Sequence, residues 1–194
     1  MIIKALFIIS CYLSFLFIPS KGCSFDSNMG ATFSLEDLVR EGEEPSYFVT
    51  DGDIPCTKEV EQNYTYMFNI CRDVSGAVPE ACSSEAAALQ IDKRLTLTDP
   101  TDDWCFVAGR YDQATTSLEL ISDSDPTAGV KLTYVGDDCS HDAEGNLNPT
   151  PRKFHLHFTC SSSSVAVPVH AYEYQHCEYT VEIPSIYGLV LLLF

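Results

Sequence analysis

Nine cysteines are spread through a chain of 194 residues, and no two of them form a C-x-x-C pair. That pattern constrains the fold more than any other feature. Zinc ribbons and fingers need closely paired ligands, and past the leader the tightest spacing is Cys71 to Cys82. Cysteines this frequent and this dispersed read as a disulfide framework, which requires an oxidising compartment. The N-terminus supplies the route. Lys4 precedes an apolar run from Ala5 to Ile18, broken mildly by Ser10 and Ser14, and Ser20-Lys21-Gly22 places small residues before Cys23. This is the layout of a cleaved secretory signal over residues 1–22, and the run is short of the roughly 20 residues that span a bilayer. Cleavage removes Cys11, Lys4 and Lys21, leaving eight cysteines and shifting the net charge from −17 to −19.

Such an excess of carboxylates excludes nucleic acid, whose phosphates demand clustered Lys and Arg. It also opposes docking on anionic lipid. Asn63-Tyr64-Thr65 is an N-glycosylation sequon, whereas Asn148-Pro149-Thr150 is disqualified by its proline. The chain ends in the apolar run 189–194, too short to cross a membrane. It either packs on the domain or marks the start of a longer membrane helix.

Short runs rich in β-branched and aromatic residues alternate with Gly, Pro, Asp and Asn. They include Ala31 to Leu35, Tyr64 to Ile70, Trp104 to Ala108, Ser117 to Ile121, Val130 to Tyr134, Phe154 to Phe158 and Tyr179 to Ile183. Many short strands with regular turns predict an all-β sandwich or barrel. Ser83 to Gln90, with its run of alanines, has helix-forming composition instead.

Nothing points to catalysis. No G-x-S-x-G elbow, phosphate loop or H-E-x-x-H is present. His155 and His157 share one face of a strand whose other face is Phe154, Leu156 and Phe158. They read as solvent-facing residues rather than zinc ligands, because no third ligand is placed. Asp137, Asp138, Asp142 and Glu144 lack the spacing of an EF-hand and read as a solvated loop, with a weak divalent-cation site near Asp137 and Asp138 as the lesser alternative. No cofactor is expected.

Five cysteine-bearing or neighbouring segments resemble, in order, the motifs of mannose 6-phosphate receptor homology (MRH) domains. Tyr64 to Cys71 resembles an early strand. Ala86 to Gln90 is similar to the segment that ends in the sugar-binding glutamine, and Leu132 to Cys139 to a Y-x-G-G-D-x-C element. Arg152 to Cys160 resembles the strand that carries an arginine, and His176 to Ile183 the closing C-x-Y strand. The start, Cys23-Ser24-Phe25 with Thr32 to Leu35, also fits, so the resemblance covers residues 23–188.

The resemblance implies a flattened β-barrel of two packed antiparallel sheets, with a short turn entering a strand near Gln90 in place of a helix. It implies a non-catalytic lectin for mannose or mannose 6-phosphate on N-glycans, acting in glycoprotein sorting or quality control within the secretory lumen or outside the cell. Its sugar-binding set maps onto Gln90, Arg152, Glu173 and Tyr179. The chemistry is coherent: arginine donates only, glutamate accepts only, and glutamine and tyrosine do both. The resemblance also implies the disulfides Cys139–Cys177 and Cys23–Cys71. Two departures stand out. Leu89 and Leu189 occupy positions where the family carries cysteine, so Cys82 and Cys160 lose their expected partners; Cys56, Cys82, Cys105 and Cys160 are left unassigned, with either Cys56 or Cys82 open as a partner of Cys105. Lys93, Arg94 and Lys153 lie near the predicted site in sequence and leave a phosphorylated ligand open. The alternative function is a cargo-interaction or trafficking domain that keeps the fold without the sugar. A third reading is a secreted disulfide-rich domain outside this family, favoured if Cys139 and Cys177 are unpaired.

Overall fold

The computed structural model describes residues 23–51, 64–92, 104–141, 147–163, 165–188 and 191–192. The leader, Cys56, Asn63, Lys93, Arg94, Asp142, Glu144 and Leu189 lie outside them. Twelve strands follow in order: β1 Ser24–Asp26, β2 Ala31–Ser34, β3 Tyr47–Thr50, β4 Tyr64–Phe68, β5 Ala88–Asp92, β6 Cys105–Gly109, β7 Ser117–Leu120, β8 Val130–His141, β9 Leu147–Cys160, β10 His170–Gln175, β11 Glu178–Ser185 and β12 Leu191–Leu192. The helical elements among the described residues are three short 3-10 turns.

Two large sheets form the body. One has the order β3-β4-β5-β6, and the other the order β10-β11-β9-β8-β7. Their inner faces meet in an aromatic core. Tyr66 and Phe68 of β4 pack against Phe154 of β9, with ring centroids 5.7 and 5.6 Å apart. At one side an Arg110–Val135 bridge joins the end of β6 to β8, and at the other β3 runs beside β10, which closes the flattened barrel. A third, small sheet, β1-β2-β12, covers one end, with Leu191 and Leu192 paired to β2.

The expected antiparallel arrangement fails at one place. β9 and β11 run parallel, Phe154 opposite Tyr179 and Phe158 opposite Ile183. After β9 the chain skips one strand position, lays down β10, and turns back into the gap, so β11 takes the direction of β9.

Tight packing explains the Leu132 to Cys139 motif. A Cβ on Gly136 would overlap the backbone of Val107 and Ala108, and one on Gly109 would overlap Tyr134. Glycine at both positions lets β6 and β8 approach closely enough to seal the barrel. Tyr134 is fully buried, accepts from the Cys71 N–H at 2.7 Å and donates to the Asn69 carbonyl at 3.0 Å.

The alanine-rich stretch is not a helix. Residues 83–87 bend into β5 because their backbone groups bond elsewhere: Val74 N–H to the Ala86 carbonyl, Asn69 N–H to the Ala87 carbonyl, and Ala87 N–H to the Gly109 carbonyl. Those distant partners replace the bonds a helix would make to itself.

Among the described residues three disulfides staple the chain. Cys23–Cys71 and Cys139–Cys177 are the pairs the resemblance implies. Cys82, one of the two partners left open for Cys105, bonds it, while Cys160 at the end of β9 is exposed and unpaired.

Candidate functional site

Alternation along strands decides which side chains meet between the sheets. On β9, Phe154, Leu156 and Phe158 face the core, so Arg152, two residues earlier, faces the same way at the strand's opening end. On β11, Tyr179 points inward with Val181 and Ile183. Glu173 of β10 sits directly opposite Tyr179 in the ladder. Gln90 comes from the other sheet, in register between Tyr66 of β4 and Phe106 of β6. The structure therefore gathers the four residues Gln90, Arg152, Glu173 and Tyr179 at one end of the barrel, one from the four-stranded sheet and three from the five-stranded sheet.

Their contacts form a single network. The Tyr179 hydroxyl receives hydrogen bonds from Arg152 and from Gln90, and Gln90 also donates to Tyr66. Burial and the Glu173 charge push the Tyr179 phenol up to about 12, against the pull of Arg152. The Tyr66 and Tyr179 rings lie 5.5 Å apart. Gln90 is 4% and Tyr179 3% exposed, so they form the floor, whereas Arg152 and Glu173 stand half-buried at the rim.

The rim is anchored by the Cys139–Cys177 bond. The Cys177 N–H donates to Glu173 Oε1 at 2.6 Å, and Cys177 takes a left-handed conformation, φ 64°, in the β10–β11 turn. That bond fixes the glutamate's rotamer relative to Tyr179. Arg152 donates from Nη1 to the carbonyls of Asp137 at 3.3 Å and Asp138 at 2.8 Å, and its guanidinium lies 4.9 Å above the Phe106 ring. Among the described residues its Nε–H is buried without a hydrogen-bond partner, a condition that costs about 1–3 kcal/mol.

The cation-site alternative meets an occupied carboxylate. Asp137 is held by Arg110, whose Nη2 lies 3.0 and 3.2 Å from its two oxygens. Cys139, His176 and Cys177 bring ligand-type atoms within 4.8 Å of one another. The two sulfurs are bonded to each other, which removes the thiolates a metal requires.

His155 and His157 lie on the outward face of the five-stranded sheet, as strand parity led one to expect, but they are less exposed than a free surface pair. Both are half-buried among neighbouring side chains on the back of the five-stranded sheet. Burial lowers both pKa values, that of His157 to about 4.

Several residues at this end carried no sequence signal. Asp51 and Asp92 are buried in the row beyond Gln90, flanking Tyr64, and Phe106 and Trp104 lie on the same inner face of β6. Only strand register reveals them. Cavities also lie elsewhere, one of them about 780 Å³ beside the Cys23–Cys71 bond and lined by Glu36, Arg40, Arg72, Asp73 and Tyr111.

No family model matches the chain, and no curated protein matches it. Among solved structures, domain 11 of the chicken IGF2R aligns over 83% of this chain and 86% of its own, with 22% identity and a TM-score of 0.51. The MRH domain of Yos9, solved in solution in complex with α3,α6-Man5, aligns over 73% of this chain and 74% of its own, with 12% identity and a TM-score of 0.40. The fold of the chain is MRH-like.

Proposed function

We propose that this domain is a non-catalytic, mannose-recognising lectin of the secretory pathway, serving glycoprotein sorting or quality control in its lumen or outside the cell. The reading rests on the convergence of Gln90, Arg152, Glu173 and Tyr179 at one end of the barrel. A pyranose presents adjacent hydroxyls that each donate and accept. Arg152 and Gln90 donate to them, Glu173 accepts from them, and Tyr179 closes the floor with its hydroxyl and ring.

The surroundings favour a plain mannose over a phosphorylated one. The cations flanking Arg152 among the described residues are already engaged, Lys153 with Glu178 and Arg110 with Asp137. Asp51 and Asp92 add buried acidic groups on the same inner face, and the chain as a whole is strongly acidic. A phosphate dianion would meet net repulsion there.

One observation favours the second reading, a trafficking or cargo-interaction domain. Gln90 and Tyr179 are almost closed to solvent, and Arg152 spends Nη1 on two backbone carbonyls. A glycan array on the secreted protein separates the two. Arg152→Ala removes the charge-assisted donors, worth about 3 kcal/mol together, so affinity for mannose-terminated glycans drops by about a hundredfold or more while circular dichroism stays unchanged. Unaltered affinity takes Arg152 out of the site. A folded, oxidised wild type that binds no mannose-terminated glycan replaces the lectin with the interaction domain.

A further inference from the structure

We infer that Arg110 is a positioning residue of the site: by gripping Asp137, in a bulge of β8, it sets the two backbone carbonyls that aim Arg152; this rests on the lectin reading above. Val135 is opposite Lys153 and Asp138 is opposite Pro151, so β8 advances three residues where β9 moves two. The surplus lies at Gly136 and Asp137, across from Arg152. In a regular strand successive carbonyls point to opposite sides. Here the Asp137 and Asp138 carbonyls both accept from Arg152 Nη1, at 3.3 and 2.8 Å. The bulge makes that possible, because it turns one of the two carbonyls out of the regular alternation.

The extra residue of a bulge has no ladder partner, so its orientation depends on other contacts. Gly136 is pressed against β6, where a Cβ would overlap the backbone of Val107 and Ala108. Arg110, just past the end of β6, supplies the other hold. Its main-chain N–H donates to the Val135 carbonyl at 3.0 Å. Its Nε and Nη2 donate to Asp137 Oδ1 at 3.2 and 3.0 Å, and Nη2 also reaches Oδ2 at 3.2 Å. Its Nη1 donates to the Glu85 carbonyl at 2.7 Å, so the guanidinium is itself fixed from a second side. A planar fork holds a carboxylate in one orientation, which a lysine ammonium does not. The two side chains are 43% and 54% exposed, so water screens what the pair adds to folding. The orientation it imposes is not screened. An arginine whose carbonyl partners wander has to be ordered each time a ligand binds, and that lost freedom lowers affinity.

The chain carries five arginines, few enough for NMR of the nitrogen-15-labelled secreted protein to resolve their Nε–H groups, and Arg152→Ala identifies the Arg152 signal by its loss. Arg152 Nε is buried, so its proton exchanges slowly in the wild type. Arg110→Ala speeds that exchange by about tenfold and leaves Arg40, held over the Tyr47 ring, unchanged. Affinity for methyl α-mannoside, measured by calorimetry, falls about fivefold, the size expected when one long side chain has to be ordered on binding. The urea midpoint stays nearly the same, as for other exposed pairs. Arg110→Lys keeps the charge without the fork and recovers only part of either change. Asp137→Asn weakens the grip from the other side, repeats both changes, and serves if Arg110→Ala does not fold. Unchanged Arg152 exchange, or loosened exchange with unaltered mannoside affinity, overturns the positioning role and leaves the lectin standing. So does an affinity loss accompanied by equally faster exchange at Arg40 and a lower urea midpoint, which is general loosening. A wild type that binds no mannoside overturns the lectin reading, and the exchange rate then decides by itself whether Arg110 aims Arg152.

Discussion

The two large sheets share one core and differ on their backs. Behind the five-stranded sheet runs a polar ladder, Glu119–Lys131–His157–Glu182–His170 in one cross-strand row and Thr133–His155–Thr180–Tyr172 in the next. Behind the four-stranded sheet lies a second apolar cluster. Met67, Leu89 and Val107 are buried there with Val74 and Ala86, under the segment that precedes β5 and that is tied down by Cys82–Cys105. One sheet is covered on a single face and the other on both. The difference bears on the site. Gln90 sits on the strand clamped from both sides, so its amide is held by packing. Arg152, Glu173 and Tyr179 sit on the sheet with the wet back and are positioned by the Cys139–Cys177 bond and their hydrogen bonds instead.

The largest expected effect comes from removing the cover behind Gln90. Leu89 is fully buried on the outer face of β5. Leu89→Ala loses its burial and leaves a cavity, at a cost of about 2–5 kcal/mol in urea denaturation. A loss below about 1 kcal/mol would show that this face collapses onto the gap, and the contrast between the two backs would disappear.

A smaller effect is expected from pH, on the other sheet. Burial, then the charges of His155 and Lys131, lower the His157 pKa to about 4 from the ordinary histidine value of 6.5, against the pull of Glu182. His155 is lowered too, by burial first and then by Lys131, with Lys153 acting the same way and Glu178 and Glu119 opposing. In the unfolded chain these rings take up protons near pH 6.5, whereas the folded sheet resists protonation of His157 until about pH 4. Stability is therefore unaffected by these rings above the unfolded value and declines as pH falls between the two. His157→Gln makes the acid slope of the urea midpoint shallower across that window and leaves neutral stability nearly the same. An unchanged slope would mean that His157 is as solvated as the sequence led one to expect.

The same contrast governs what was legible in the chain. Alternation marks β2, β4, β7, β9 and β11, because aromatic or branched residues recur at every second position facing the core. β5 shows none. Ala88-Leu89-Gln90-Ile91-Asp92 is covered on both faces, so periodicity vanishes and composition argued for a helix. β3 and β10 escaped notice because they are edge strands with mixed outer faces, Phe48 exposed on one and Tyr174 on the other. Resemblance alone named Gln90, Arg152, Glu173 and Tyr179, and strand parity explains how they meet. Trp104, Phe106, Asp51 and Asp92 needed the β4-β5-β6 register, which shifts between Ala88 and Leu89 and is invisible in one sequence. The Cys82–Cys105 pair was one of several open choices for the same reason.

The smallest effect tests whether the polar ladder holds the sheet or merely coats it. Lys131 Nζ lies 2.9 Å from Glu119 Oε1, and both side chains are substantially exposed, 30% and 52%. Water screens such a pair, and ordering two long side chains offsets most of the attraction, so Lys131→Ala costs about 0–1 kcal/mol, less at high salt. The lysine has a second consequence in the same row. Its charge helps keep His155 and His157 neutral, so its removal raises both histidine pKa values and flattens the acid slope in the direction that His157→Gln does. A loss well above 1 kcal/mol that persists at high salt would make the ladder a structural support. The acid slope, measured on the same variant, distinguishes a charge effect on the histidines from a general loosening, since loosening would lower the urea midpoint equally at every pH.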